Sequence, residues 1–257
     1  MSEITSPEAG VLFKALEKSF SSVSLAIFKK GIGHLQTHSD FLSAYISPQK
    51  KSKSCFSGSE VFFSAPYSPK AKFMALEEKN KARSKFSIND IKDIDSLARA
   101  LAENAVYCGS KIIGNCGHVH SSDNVSDSFY VYLSHDILKS EYIAFCELTI
   151  NSKHLFGCSS TGETEFCINA TETYRATRVF ESAIAVNSTD LYYCYYCIGC
   201  CDCFFSFNQH SKSNMIGNNQ LGREEYASLK KELLSQLASD LESGKRVPNL
   251  KGMVGNQ

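Results

Sequence analysis

The chain of 257 residues is 43% apolar and carries 27 Lys and Arg against 27 Asp and Glu, a formal net charge of zero. This is enough apolar material for a substantial core and excludes disorder over most of the length. The balanced charge favours neither nucleic acid nor a membrane as partner, and no secretory signal or apolar run of ~18 residues is present, so a soluble cytoplasmic protein is expected.

In chain order, Ser6-Pro7-Glu8 starts a helix, with a capping hydroxyl, Pro at the first helical position and acid in the first turn. Leu12, Leu16 and Phe20 follow at four-residue spacing toward Gly31, with Ser21-Ser22 a candidate break. Lys50-Lys51-Ser52-Lys53 reads as a solvated basic connector. Ser87 and Asp90 resemble a capping box for a second helix, whose apolar face is Ile91, Ile94, Leu97, Ala98 and Leu101 and whose end lies near Asn104. The first hundred residues thus read as helix and loop.

Beyond residue 104 the character changes to short apolar and aromatic beats separated by Ser, Asn, Asp, Gly and Thr, among them Phe129-Tyr130-Val131, Tyr142-Ile143-Ala144 and Cys203-Phe204-Phe205. From residue 130 onward their centres lie roughly 10 to 14 residues apart, too close for strand-helix-strand units. Ser126–Tyr132 matches Thr189–Tyr195, and Asn151–Gly157 loosely matches His210–Gly217. Self-similarity without helical signal predicts a β-solenoid with two or three short strands per coil, preferred over an antiparallel sandwich. Tyr226, Leu229, Leu233, Leu237 and Leu241 then mark one face of a helix from Gly222 to Gly244, suited to covering the last coil and its exposed strand edge.

The run Cys200–Asn218, followed by Arg223-Glu-Glu-Tyr226, resembles the C-terminal part of uncharacterised microbial proteins rich in Tyr and Cys, over residues 104 to 240. The resemblance implies a right-handed β-helix with a C-terminal capping helix and brings no activity. The expected fold is mainly β with flanking helices: a helical and loop region at 1–103, the β-solenoid at 104–220, an amphipathic capping helix at 221–243 and a flexible tail at 244–257.

Five of the eleven cysteines lie within Cys194–Cys203. An odd total and the adjacent Cys200 and Cys201 make a poor disulfide framework, so reduced thiols are expected. Cys194, Cys197, Cys200 and Cys203 are the candidate metal ligands, for zinc or an iron–sulfur cluster. Their spacing departs from a bacterial ferredoxin run and from the two separated pairs of a structural zinc site. Cysteines elsewhere also sit beside strand beats, where thiols serve as small buried hydrophobes, and this structural reading is preferred. Cys116-Gly-His118-Val-His120 offers half a metal site without a second half; His135, His154 and His210 read as exposed turn neighbours. Asp123, Asp127, Asp136, Asp190 and Asp202 are explained by turn formation. No phosphate loop, nucleophile elbow or zincin motif occurs.

The expectation is a non-enzymatic scaffold or interaction module, without cofactor, that uses its solenoid face for a protein partner or for self-association. The alternative is a cytoplasmic zinc or iron–sulfur binding or assembly protein using the 194–203 cysteines.

Overall fold

The computed structural model describes residues 7–82, 87, 89 and 92–254. After a two-residue strand at Ile112–Ile113, the chain winds from Gly117 to Ile216 as a parallel β-solenoid in which four-residue strands alternate with two-residue turns. Each strand pairs with the strand twelve residues on, as in Glu141↔Lys153 and Ile143↔Leu155, so a coil holds two strands. Alternate strands build two sheets, one of ten strands ending at Asn219–Gln220 and one of nine ending at Phe207–His210. Pairing continues through residues 159–186 without interruption.

The interior follows a period of three. From Ser122 to Ser206 every third side chain is buried, and stacking the coils sorts these residues into four columns. Two columns lie at strand centres: Val131, Ile143, Leu155, Cys167, Val179, Leu191 and Cys203 in the first sheet, and Val125, Ile137, Thr149, Thr161, Thr173, Ala185 and Cys197 in the second. The other two lie at the turns and are small: Ser134, Cys146, Cys158, Ala170, Ser182 and Cys194 on one side, Ser128, Ser140, Ser152, Thr164, Ala176, Ser188 and Cys200 on the other.

The turn columns are small and polar because turn amides lack a strand partner. Ser152 N–H donates to Ser140 Oγ at 3.2 Å, and Ser140 Oγ donates to the Leu138 carbonyl at 2.9 Å. Ser188 repeats this, accepting from Cys200 N–H at 3.1 Å and donating to Val186 O at 2.8 Å. A short side chain that both donates and accepts satisfies the turn backbone one coil further on.

The second residue of most strands and the first of each turn take positive φ, as at Asp136, Asp190, Asp202, Asp127 and Asn187. Asn and Asp adopt this region at lower cost than other side chains, which accounts for four of the five aspartates. Asp123 differs: it is buried and pairs with Lys111 Nζ at 2.7 Å.

The helix Pro7–Phe28 lies along the first sheet and is unbroken. At the predicted break Ser22 donates back to the Lys18 carbonyl at 3.0 Å, as Ser24 does to the Phe20 carbonyl at 2.8 Å, and the helix continues. Twenty-two residues extend about 33 Å, which matches roughly seven coils spaced ~4.8 Å apart. Its apolar side, Leu12, Leu16, Phe20, Val23 and Ile27, joins Ala144, Phe156, Ile168, Phe180 and Tyr192 of the sheet in one core. Phe20 meets Phe156 edge-on at 5.2 Å and Phe28 meets Phe180 at 5.1 Å.

Residues 50–75 are not the loop expected from the basic run. Lys50–Lys53 is a strand antiparallel to Glu60–Phe63, with Lys51 paired to Glu60 at 3.0 Å, and Lys72–Ala75 runs parallel to Val106–Gly109. Val61, Phe63 and Phe73 form a small core, and Ser110 N–H donates to Phe62 O at 2.8 Å where this unit meets the start of the solenoid. The second helix is Ile94–Asn104, starting later than Ser87 predicts because Asp93 and Ser96 supply the capping box. Asp90 and Ile91 lie outside the described residues; Ile94 and Leu101, expected on a buried face, are exposed.

The C-terminal helix Arg223–Glu242 packs Leu234, Leu237, Ala238 and Leu241 into the core of the N-terminal helix. It also packs against Ser213–Ile216, the last parallel strand of the ten-stranded sheet. At the last coil, Asn218 Oδ1 accepts from Phe207 N–H at 2.8 Å and its Nδ2 donates to Phe207 O at 3.1 Å, standing in for a strand partner.

After this helix the chain returns to the turn at Glu181, a fully buried side chain. Burial pushes the Glu181 carboxyl up to about 7, although Leu250 N–H and the Tyr45 hydroxyl donate to it at 2.7 and 2.8 Å. With the ordinary value at 4.5, the folded state binds this proton more tightly than the unfolded state. Its contribution to stability is full below the unfolded value and is lost as pH rises through the interval to about 7. Glu181→Gln keeps both acceptor contacts. At pH 8 it is expected to be more stable than the parent by about 1–3 kcal/mol, and at pH 4 nearly equal, in urea unfolding at both pH values.

Candidate functional site

Cys194, Cys197, Cys200 and Cys203 are the four inward-facing residues of one coil, one in each column, and all are buried. They neither alternate between core and surface nor leave the hydrogen-bond pattern of the columns. Cys194 Sγ donates to Tyr192 O at 3.4 Å and Cys200 Sγ to Ile198 O at 3.5 Å, the bonds that serine makes in neighbouring coils. Cys197 and Cys203 reach the carbonyls of Tyr195 and Cys201 from the strand centres.

Burial pushes the Cys194 and Cys200 thiols up and Cys203 to about 12, whereas the Cys194 hydrogen bond holds Cys197 down at about 7. A metal would require several thiolates at one point. Among the described residues no group of three or more His, Cys, Asp or Glu side chains is placed to hold a metal ion.

Packing and ligation make different predictions for single serine substitutions. Cys194→Ser and Cys200→Ser enter columns that already use serine and are expected to change stability by less than about 0.5 kcal/mol, whereas Cys203→Ser, between Leu191 and Met215, costs about 1–2 kcal/mol. Urea unfolding with elemental analysis checks this: a ligand set loses bound metal whichever member is replaced, and packing residues show only the column-dependent cost.

The other expected candidates separate. Cys116 Sγ donates to Ile113 O at 3.2 Å, while His118 stacks on Tyr130 at 4.9 Å on the sheet surface. That stack continues through Tyr142, His154 and Phe166, with near-parallel rings 4.9 to 5.3 Å apart. His135 is buried between Asp136 and Glu147 rather than exposed, and His154 is bonded to Ser19 at 2.8 Å. The aspartates do not gather at one point: Asp123 and Asp136 engage Lys111 and His135, Asp190 pairs with Arg178 at 2.6 Å, and Asp190 and Asp202 share Lys230.

A surface that beat-by-beat reading of the sequence does not single out is the outer face of the nine-stranded sheet, which no helix among the described residues covers. Leu148, Ile150, Tyr174, Tyr195 and Phe207 are exposed on it. The column at the fourth strand position reads Ser126, Leu138, Ile150, Gly162, Tyr174. A shallow depression of about 430 Å³ lies around Ile150, Gly162 and Tyr174. Beside it, the exposed turn column reads acid, base, amide, acid, base at Asp127, Lys139, Asn151, Glu163 and Arg175, with Glu163 and Arg175 paired to each other at 2.8 Å. The twelve-residue spacing of these positions was the available signal, visible only once the coil length is known.

Among the described residues no helix is long and apolar enough to cross a membrane. The chain matches no protein-family model, and no curated protein and no solved structure shows significant similarity to it.

Proposed function

We propose that this protein is a non-enzymatic scaffold that pairs with a second copy of itself through the uncovered sheet. The carrying observation is that this face is complementary to its own reverse. Run antiparallel about Ile150, the apolar column sets Leu138 opposite Gly162 and Tyr174 opposite Ser126, large against small, with Ile150 on Ile150. The same operation on the turn column sets Lys139 opposite Glu163, Asp127 opposite Arg175 and Asn151 on Asn151. A twofold axis along the strands produces both sets at once, the self-complementarity that an isologous dimer requires.

A second copy also has the same ~4.8 Å coil repeat, so its rows can seat between these rows along the whole contact. Zero net charge leaves no long-range repulsion between copies. An exposed apolar patch rimmed by charge is the usual mark of an interaction surface. The resemblance of residues 200–226 to Tyr/Cys-rich solenoid proteins supports the architecture in this reading, and the thiols are assigned to packing.

Light scattering on eluted fractions over a range of protein concentrations tests the proposal. A mass twice the 28.4 kDa of the chain, reached at tens of micromolar, is expected. A single-chain mass at every concentration contradicts it.

A further inference from the structure

On the covered side, a cavity of about 480 Å³ opens between the end of the N-terminal helix, the first half of the C-terminal helix and the strands carrying Asp202 and Asn214. Its volume is in the range of small-molecule sites. Phe28, Tyr226 and Leu234 give it an apolar wall, and five cations line it, Lys29, Lys30, Arg223, Lys230 and Lys231, against one acid, Asp202.

Two of these cations are neutralised within the protein. Lys30 pairs with Glu242 at 2.6 Å, and Lys230 pairs with Asp202 at 2.6 Å and Asp190 at 3.6 Å. Among the described residues the Lys29 ammonium donates only to the Ala26 carbonyl, at 3.1 Å. Arg223 and Lys231 have no acidic partner among the described residues. Spaced at 223, 227 and 231, Arg223 and Lys231 share one helix face with the small Ala227 between them. The helix begins at Arg223 on Gly222, which supplies no side-chain cap, so its first amides also remain free to donate.

The second observation is independent of charge. Tyr226 is 3% exposed, and its hydroxyl is buried without a hydrogen-bond partner among the described residues. A buried hydroxyl left unpaired is costly and calls for an explanation, such as a group that arrives from outside.

We propose that this cavity binds a small organic anion, with its phosphate or carboxylate held by Arg223, Lys231 and Lys29 and its apolar part against Phe28 and Leu234. The Tyr226 hydroxyl is the remaining donor. Guanidinium and ammonium groups suit either anion, and the apolar wall favours a ligand with a ring or chain beside the charge over a bare inorganic ion.

The test uses the full chain at low ionic strength, titrated calorimetrically with phenyl phosphate and with benzoate. At least one of these aryl anions is expected to bind; the tighter one identifies the group recognised. Arg223→Ala with Lys231→Ala is expected to weaken binding by about tenfold or more, and raised salt to weaken it further. Tyr226→Phe, which keeps the ring, is expected to weaken it severalfold, and Lys153→Ala, on the covered sheet away from the cavity, to leave it unchanged. Both cations are exposed, so loss of fold is not expected; Lys231→Glu, with its melting curve compared to the parent, is the second variant. Failure of both aryl anions to bind, or equal binding by the double variant, overturns the proposal.

Discussion

Leu155→Asp is expected to leave the chain unfolded, while Leu148→Asp, seven residues earlier, leaves its stability within about 0.5 kcal/mol of the parent. Both positions are leucine in a four-residue strand, but they fall on different steps of the three-residue period. Leu155 is fully buried in the strand-centre column between Ile143 and Cys167. A carboxylate there has no partner, and taking it out of water costs several kcal/mol, on the order of the entire stability of a domain. Leu148 is exposed on the uncovered sheet and holds φ at +50°, a conformation that Asp accepts more readily than Leu. Circular dichroism and urea unfolding at low protein concentration separate the two. Equal damage from both substitutions contradicts the assignment of inward and outward positions.

Ile150→Lys is expected to abolish pairing between copies, weakening association by about a hundredfold or more, without loss of fold. On the twofold axis the substitution sets two ammonium groups against each other in place of an apolar contact, and like charges at a closed interface cost several kcal/mol. The charge column provides a finer comparison. Lys139→Glu alone opposes Glu163 of the second copy and weakens pairing; Lys139→Glu combined with Glu163→Lys restores the opposition and most of the affinity. Rescue separates pairing about Ile150 from unspecific adhesion of an apolar face, which is indifferent to the order of charges. Sedimentation velocity over a concentration series measures all four proteins.

The architecture was legible because the beats are frequent and no helical period runs through them, yet the coil length was not. The match between Ser126–Tyr132 and Thr189–Tyr195 keeps the three-residue phase but not the twelve-residue coil: Val131 is a strand-centre residue and its counterpart Cys194 a turn residue. Gly157 and Gly217, by contrast, occupy equivalent turns, each donating its N–H to the carbonyl one coil back, Ala144 and Phe204. Period-two reasoning looks for alternation within a strand, and here the decisive signal is the small or aliphatic residue at every third position from Ser122 onward. The cysteine run looks like a motif for the same reason: one coil fills all four columns with thiol, in places where other coils use Ser, Ala, Val or Leu.

The placement of the helices depends on surfaces that only the assembled coils create. Nothing in Leu234 or Leu241 alone says that they join Leu16, Phe156 and Phe180 in one core. The amphipathic pattern at Ile94, Leu97 and Leu101 specifies the helix and not what it meets. The cationic cavity likewise joins Lys29-Lys30 to Lys230-Lys231, dibasic pairs two hundred residues apart in sequence.

The most direct test of the central claim is the relaxation of leucine and isoleucine methyl groups by a soluble paramagnetic agent, followed by nuclear magnetic resonance as protein concentration is raised. Pairing through the uncovered sheet predicts that Leu148 and Ile150 are strongly relaxed in dilute solution and become protected at high concentration, that Leu155 is protected throughout, and that Ile94 and Leu101 stay accessible. Leu148 and Ile150 equally accessible at every concentration, or protection that develops at Ile94 and Leu101 instead, contradicts it.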